Sequence, residues 1–290
     1  HYKTLGTKRG LEKLHKIILS NLNDLEVILN YNIKNNIHFY RLTSKLIPLA
    51  THESVVFNYK KLYKGPLEEI GKIINDNKMR VDSHPDQFCV INSAKEEVIE
   101  SSLKILKYHK TIFDLMKINN PKIILHIGSG AGGKREGLKR FINVFEKLNK
   151  PLKNMIIIEN DDKIYNIRNT LSLCNKLKVP MALDYHHHLC NNNGEKIEDF
   201  IEAIFNTWNN ENLIPKVHFS SPKSKKEKRS HNDYIDVTEF IKFIERIKFI
   251  NRDFDIMLEA KMKDIALFNL IRELKYKTDY KFIDETTFEV

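Results

Sequence analysis

Seven short apolar runs recur along this chain, each followed by an amphipathic segment, and a histidine or an acid closes six of them. Ile37–Leu42 is the first run. His84 follows Met79–Ser83, His126 closes Ile123–Leu125, and Glu159 closes Met155–Ile158. Asp184 and His187 follow Val179–Leu183, His218 ends Lys216–Val217, and Glu259 ends Asp255–Leu258. Between the runs, apolar residues return at helical spacing: Leu14, Ile17, Ile18, Leu22, Leu25, Ile28 and Leu29 in 11–35, then Leu67, Ile70, Ile73 and Ile74 in 66–77. The reading is strands at 37–42, 79–83, 122–127, 155–159, 179–184, 214–219 and 255–260. Helices fill 94–118, 136–149, 163–177, 196–208, 236–249 and 263–274.

Strands alternating with helices imply a parallel sheet with its faces covered. An open doubly wound sheet gathers its functional residues at one switch point. A barrel gathers them wherever strands end, because all strands of a barrel finish on one face. Recurrence on six strands favours a TIM (β/α)8 barrel, expected as a single domain over 1–290. A helix comes first, so the first strand of such a barrel is expected to be absent from this chain, upstream of His1.

Composition sets limits without choosing a function. A chain of 290 residues, 41% hydrophobic, can bury one large core. No apolar run approaches the roughly 20 residues of a membrane helix, and no leader pattern opens the sequence. Cys89, Cys174 and Cys190 are too few and too scattered for a disulfide framework, so a reducing cytoplasm is expected. The net charge of +10 suits a polyanionic partner, although a lysine-rich surface has the same effect.

The chemistry concentrates at the strand ends. In Asp184-Tyr185-His186-His187-His188, Asp184 and His187 are the chosen ligands, with His186 and His188 turned outward or orienting their neighbours. Glu159 and Glu259 end apolar strands, where an uncompensated carboxylate is costly; metal coordination or a salt bridge to Lys216 or Lys261 resolves the cost. Two metals about 3.5–4 Å apart can stabilise both oxygens of a phosphodiester displacement. Gly128-Ser129-Gly130-Ala131-Gly132-Gly133-Lys134-Arg135-Glu136-Gly137 approaches a phosphate-binding loop, but Arg135 stands where a nucleotide site needs Ser or Thr. A nucleotide cofactor is therefore rejected, and the loop is read as flexible, with Lys134 and Arg135 able to meet phosphates. The basic run from Ser221 to Arg229, including Lys225, follows the strand ending at His218 and is expected to touch a nucleic-acid backbone.

Ser83-His84-Pro85-Asp86-Gln87-Phe88, with Asn92-Ser93 after it, resembles the Ser-His-Pro-x-Gln-aromatic signature of the UV damage endonuclease family. So do Phe39–Ser44 leading to Pro48 and His52, and Leu258-Glu259-Ala260-Lys261-Met262-Lys263. The resemblance spans about residues 11–275. It implies the barrel shared with endonuclease IV and xylose isomerase. It also implies a nick immediately 5′ of UV photoproducts, and of abasic sites, in double-stranded DNA. Manganese is the expected cofactor, at two or three ions per chain, with zinc, magnesium or cobalt as alternatives.

By the same resemblance, His84, His126 and Glu159 hold one metal. Glu159, Asp184, His218 and Glu259 surround a second, and His187 and His231 hold a third. His52 acts near the scissile phosphate as ligand or proton donor, and Lys216 matches a lysine that is carboxylated in some relatives. Gln87 and Phe88 match the pair wedged into the duplex at the lesion. The chain departs from the pattern in having Phe88 where relatives often have Tyr, and Arg229 where endonuclease IV has an Asp, which loosens the third metal. A monomer in the cytoplasm, associated with the nucleoid in a prokaryote, is expected. The alternatives are a metal-dependent sugar isomerase of the same barrel superfamily and a non-catalytic lesion-binding module.

Overall fold

The computed structural model describes residues 6–290. Its main elements, in chain order, are α1 (Thr7–Lys34), β1 (Phe39–Leu42), α2 (Lys64–Asp76), β2 (Arg80–Ser83), α3 (Glu96–Met116), β3 (Lys122–His126), α4 (Lys134–Glu146) and β4 (Ile156–Glu159). There follow α5 (Ile167–Leu177), β5 (Met181–Asp184), α6 (Tyr185–Cys190), α7 (Ile201–Asn206), β6 (Lys216–Phe219), α8 (Val237–Ile247), β7 (Asp255–Leu258) and α9 (Lys263–Lys277). A small antiparallel hairpin, β8 (Lys281–Phe282) and β9 (Phe288–Glu289), follows α9. The first seven strands form one sheet in the order β1-β2-β3-β4-β5-β6-β7, with parallel registers. Sequential parallel order with a helix after each strand is the topology of a TIM barrel.

Two compact units carry these elements. The first comprises the described residues up to Asp86 together with Leu103–Ile123. Here β1 and β2 pair from Phe39↔Arg80 to Leu42↔Ser83, and Ser83 pairs in turn with Ile123. Leu14, Ile18, Leu22, Leu25 and Leu29 form the buried stripe of α1, which lies against α2. Tyr63 joins this packing with its hydroxyl 2.7 Å from His15 Nδ1.

The second unit comprises Gln87–Ser102 and Ile124–Val290. Its central strands are buried along their whole length, as strands covered on both faces must be: Ile156–Glu159, Met181–Asp184 and Lys216–Phe219. Trp208, nearly fully buried, packs on Ile124, Ile157 and Ala182 and donates its indole N–H to the Met181 carbonyl at 2.7 Å. Asn166 and Asp236 cap α5 and α8 through their side-chain oxygens. The expected helix over 196–208 is broken: a 3-10 turn at Ile197–Asp199 precedes α7.

Candidate metal centre

Where β4, β5, β6 and β7 end, Glu159, Asp184, His218 and Glu259 converge. One donor atom from each lies within 4.8 Å of all the others. Glu159, Asp184 and His218 are almost wholly buried, and Glu259 is partly exposed. Register explains the meeting: Asp184 pairs with His218, and Glu159 with Ala182, so successive strands deliver their terminal side chains at neighbouring heights.

Glu159 is the hub. Its Oε1 lies 2.6 Å from His218 Nδ1, while its Oε2 lies 3.5 Å from His126 Nε2. His218 Nδ1 is also 3.3 Å from Glu259 Oε1. The two oxygens of one carboxylate therefore serve two different sets of donors. Burial, opposed by His187 and reinforced by Glu159 and Glu259, pushes the Asp184 carboxyl well above the usual carboxylate range. Asp184 Oδ2 accepts no hydrogen bond among the described residues. Three crowded carboxylates, two of them buried, with imidazoles around them fit a divalent cation better than any arrangement of protein charges alone.

His187 is oriented by its surroundings. Asp184 Oδ1 accepts the His187 backbone N–H at 2.7 Å, which caps α6 and turns the histidine run into a helix. The His187 ring places Nδ1 3.0 Å from the Asn160 carbonyl. A carbonyl only accepts, so Nδ1 carries a proton toward it and Nε2 is the ring nitrogen that a ligand could meet. Burial alone would lower the pKa of His187, but Asp184 and Glu159 outweigh it and hold the imidazole up at about 9. His186 and His188 do not turn outward: α6 buries both, and the His186 ring meets the His231 ring edge-on, with centroids 5.3 Å apart. His231 stands 3.6 Å from Glu259 Oε2.

The remaining expected residues are placed as follows. In the first unit, His84 sits just beyond β2 with Nδ1 3.0 Å from the Pro85 carbonyl, the same arrangement that directs His187. His52 is exposed, and its Nδ1 accepts the Ser54 N–H at 3.2 Å. In the second unit, Lys216 is wholly buried on β6, whereas Gln87 and Phe88 are exposed, Phe88 at 71%. Lys134, Arg135 and Lys225 are exposed, with Lys134 Nζ 3.3 Å from Asn169 Oδ1. Arg229 pairs with Asp162 at 3.2 Å, and the basic run folds back so that Pro222 bridges His231. The glycine loop is not the flexible segment expected: Asn92, Arg140 and Tyr165 all bond to it.

Asn160 was not singled out by the sequence reading. It is fully buried, its Nδ2 donates to the Asp184 carbonyl at 2.9 Å, and its Oδ1 accepts the Asp184 N–H at 2.9 Å. One side-chain amide thus replaces a rung of the β4–β5 ladder and fixes Asp184. The available signal was an asparagine directly after a strand-ending acid.

Sequential parallel strands with carboxylates and histidines at their ends define a TIM-barrel protein with a candidate multi-metal centre. Residues 1–288 match the model of the family described as UV-endonuclease UvdE. The UV DNA damage endonuclease of Bacillus mycoides (strain KBAB4) is 40% identical over 290 residues, covering 99% of this chain and 91% of that protein. The crystal structure of SacUVDE superposes with a TM-score of 0.84 at 35% identity, over 91% of this chain and 89% of that one. Endonuclease IV from Thermus thermophilus, at 12% identity and a TM-score of 0.59 over 88% and 95% of the two chains, shares the fold. The chain belongs to the UV-endonuclease UvdE family. It is an enzyme of that family, and membership displaces the isomerase and binding-module readings. Among the described residues, no helix is long and apolar enough to cross a membrane.

Proposed function

We propose that the protein is a DNA repair endonuclease that nicks double-stranded DNA immediately 5′ of UV photoproducts and of abasic sites, leaving 3′-hydroxyl and 5′-phosphate ends. The observation that carries this reading is the division of Glu159 between His218 on one oxygen and His126 on the other. A carboxylate so placed can bridge two cations. Two divalent cations, manganese in this reading, would supply Lewis acidity and a nucleophilic water at neutral pH. Glu159, Asp184, His218 and Glu259 would hold one, Glu159 and His126 with His84 the other, and His187 with His231 a third. Zinc, magnesium or cobalt would also suit such donors.

The chain's own groups do the rest. Gln87 and Phe88 would enter the duplex and fill the gap that an extruded lesion leaves. Photoproducts stack poorly, so extruding them costs less than extruding normal bases, and that difference selects damage. Lys134, Arg135 and Lys225 would meet backbone phosphates; Arg229, already joined to Asp162, would hold the basic loop and His231 in place. His52 would act at the scissile phosphate. Lys216, fully buried on β6, is the residue at which carboxylation would supply an anionic oxygen donor. In this reading residues 1–290 act as one domain, a monomer in the cytoplasm, without a nucleotide cofactor.

The test is a duplex carrying one photoproduct, or one abasic site, labelled at each end in turn. A single cut at the phosphodiester 5′ of the lesion, with a 3′ end that a polymerase extends directly, is expected. Cutting on the 3′ side, or a 3′ end that must first be dephosphorylated, would overturn it.

A further inference from the structure

Gln87 and Phe88 lie in a loop whose next residues are buried in and bonded to the second unit. Cys89 and Ile91 are buried, and the Val90 N–H donates to Ser102 Oγ at 2.8 Å. Asn92 is fully buried, and in the loop after β2 its side chain repeats what Asn160 does after β4, two strands further on. Nδ2 donates to the Ser129 carbonyl at 2.8 Å, and Oδ1 accepts the Ser129 N–H at 2.7 Å. Nδ2 also lies 3.2 Å from the Gly137 carbonyl.

Arg140 closes the arrangement from α4. Its Nε donates to the Asn92 carbonyl at 2.8 Å, and one Nη donates to the Ala131 carbonyl at 2.7 Å. Tyr165 adds a hydroxyl bond to the Ser129 carbonyl at 2.8 Å. The glycines make room for this. A Cβ on Gly128, whose φ is +97°, would stand 2.8 Å from Val90 and 2.9 Å from the Asn92 side chain. A Cβ on Gly137 would overlap the Tyr165 hydroxyl.

We infer that Asn92 and Arg140 form a clamp that fixes the exposed Gln87–Phe88 pair relative to the loop leaving His126. They are positioning residues for damage discrimination and not donors to the metal centre. The clamp joins the segment that meets the duplex to the segment following a strand-end histidine, so it sets how far Phe88 can reach while the strand end stays fixed. Five hydrogen bonds meet around one buried amide and one guanidinium and tie the loop to the segment after β3. The glycine loop, which resembles a phosphate cradle, is in this account the far jaw of the clamp. The inference rests on the proposed reading of Gln87 and Phe88 as the damage probe.

The experiment compares wild type, Asn92→Asp and Arg140→Lys for kcat/KM on irradiated and intact duplex of one sequence. Asn92→Asp keeps the acceptor for the Ser129 N–H but sets an oxygen against the Ser129 and Gly137 carbonyls. Arg140→Lys keeps the charge and loses the two-pronged grip, and carries the test if Asn92→Asp does not fold. A ratio of kcat/KM values cancels the fraction of active enzyme, so mere partial unfolding leaves it unchanged. Loss of even one such hydrogen bond predicts a fall in the ratio of about tenfold for Asn92→Asp. A smaller fall is expected for Arg140→Lys, with the metal-dependent rise in melting temperature retained by both. Folded variants with an unchanged ratio would overturn the clamp while leaving the proposed function standing. A wild type that does not prefer irradiated duplex would overturn both.

Discussion

Removing divalent metal should destabilise this protein by an amount that can be set in advance. Three carboxylates and His218 have donor atoms within 4.8 Å of one another, and Glu159 and Asp184 are buried. The folded chain thus gathers a candidate cation site that the unfolded chain does not have. A ligand that binds only the folded state at 100 times its dissociation constant stabilises by about 2.7 kcal/mol. Unfolding 290 residues carries an entropy of about 0.6 kcal/mol per kelvin, from roughly 2.1 cal/mol/K for each residue. Chelation should therefore lower the melting temperature by about 4–5 °C. The assay is thermal unfolding followed by circular dichroism, with manganese and then with excess chelator, for wild type and Glu159→Gln. Glu159→Gln keeps the shape but removes the charge shared by both donor sets, so its metal-dependent increment should largely vanish. An unchanged melting temperature in wild type, or a full increment in Glu159→Gln, would refute the reasoning.

Further outcomes follow from particular contacts. Loss of groups that merely orient metal ligands costs activity about 10–100-fold. Glu159→Ala removes a direct donor, so nicking should fall by more than that with the circular dichroism spectrum retained; near-wild-type activity would remove Glu159 from the mechanism. Gly71 on α2 approaches the Met116 backbone so closely that a Cβ would overlap its carbonyl oxygen, whereas nothing stands within 4 Å at Gly65. Gly71→Ala should destabilise by about 1–3 kcal/mol through overpacking, and Gly65→Ala should be neutral or stabilising, both measured by urea unfolding. Cys174 is fully buried and burial pushes its thiol up, while Cys190 is partly exposed. A maleimide should label Cys190 in the native protein and reach Cys174 only on unfolding; early labelling of Cys174 would contradict the packing of α5.

The strand ends were legible because short apolar runs leave a plain trace, and a polar residue at the end of each stands out against it. Glu159, Asp184, His218 and Glu259 were found that way, and they meet. Side-chain direction within Tyr185–Cys190 was not legible, since it depends on Asp184 capping a helix that periodicity over six residues cannot reveal. Asn92 and Asn160 were missed as structural rungs for a related reason: an asparagine after a strand reads as a turn residue until its partner strand is placed. The glycine loop looked mobile because composition reports the freedom of the backbone and not the bonds that remove it. The terminal hairpin, Lys281–Glu289, has strands of two residues each, too short to show alternation.

The central claim is that the strand-end centre cuts DNA at UV damage. It is tested most directly by incubating irradiated and unirradiated supercoiled plasmid with the metal-loaded protein, with and without chelator, beside Glu159→Gln. The account predicts nicking of the irradiated plasmid alone, abolished by chelator and by Glu159→Gln. Equal nicking of both plasmids, or nicking that survives chelation, would contradict it.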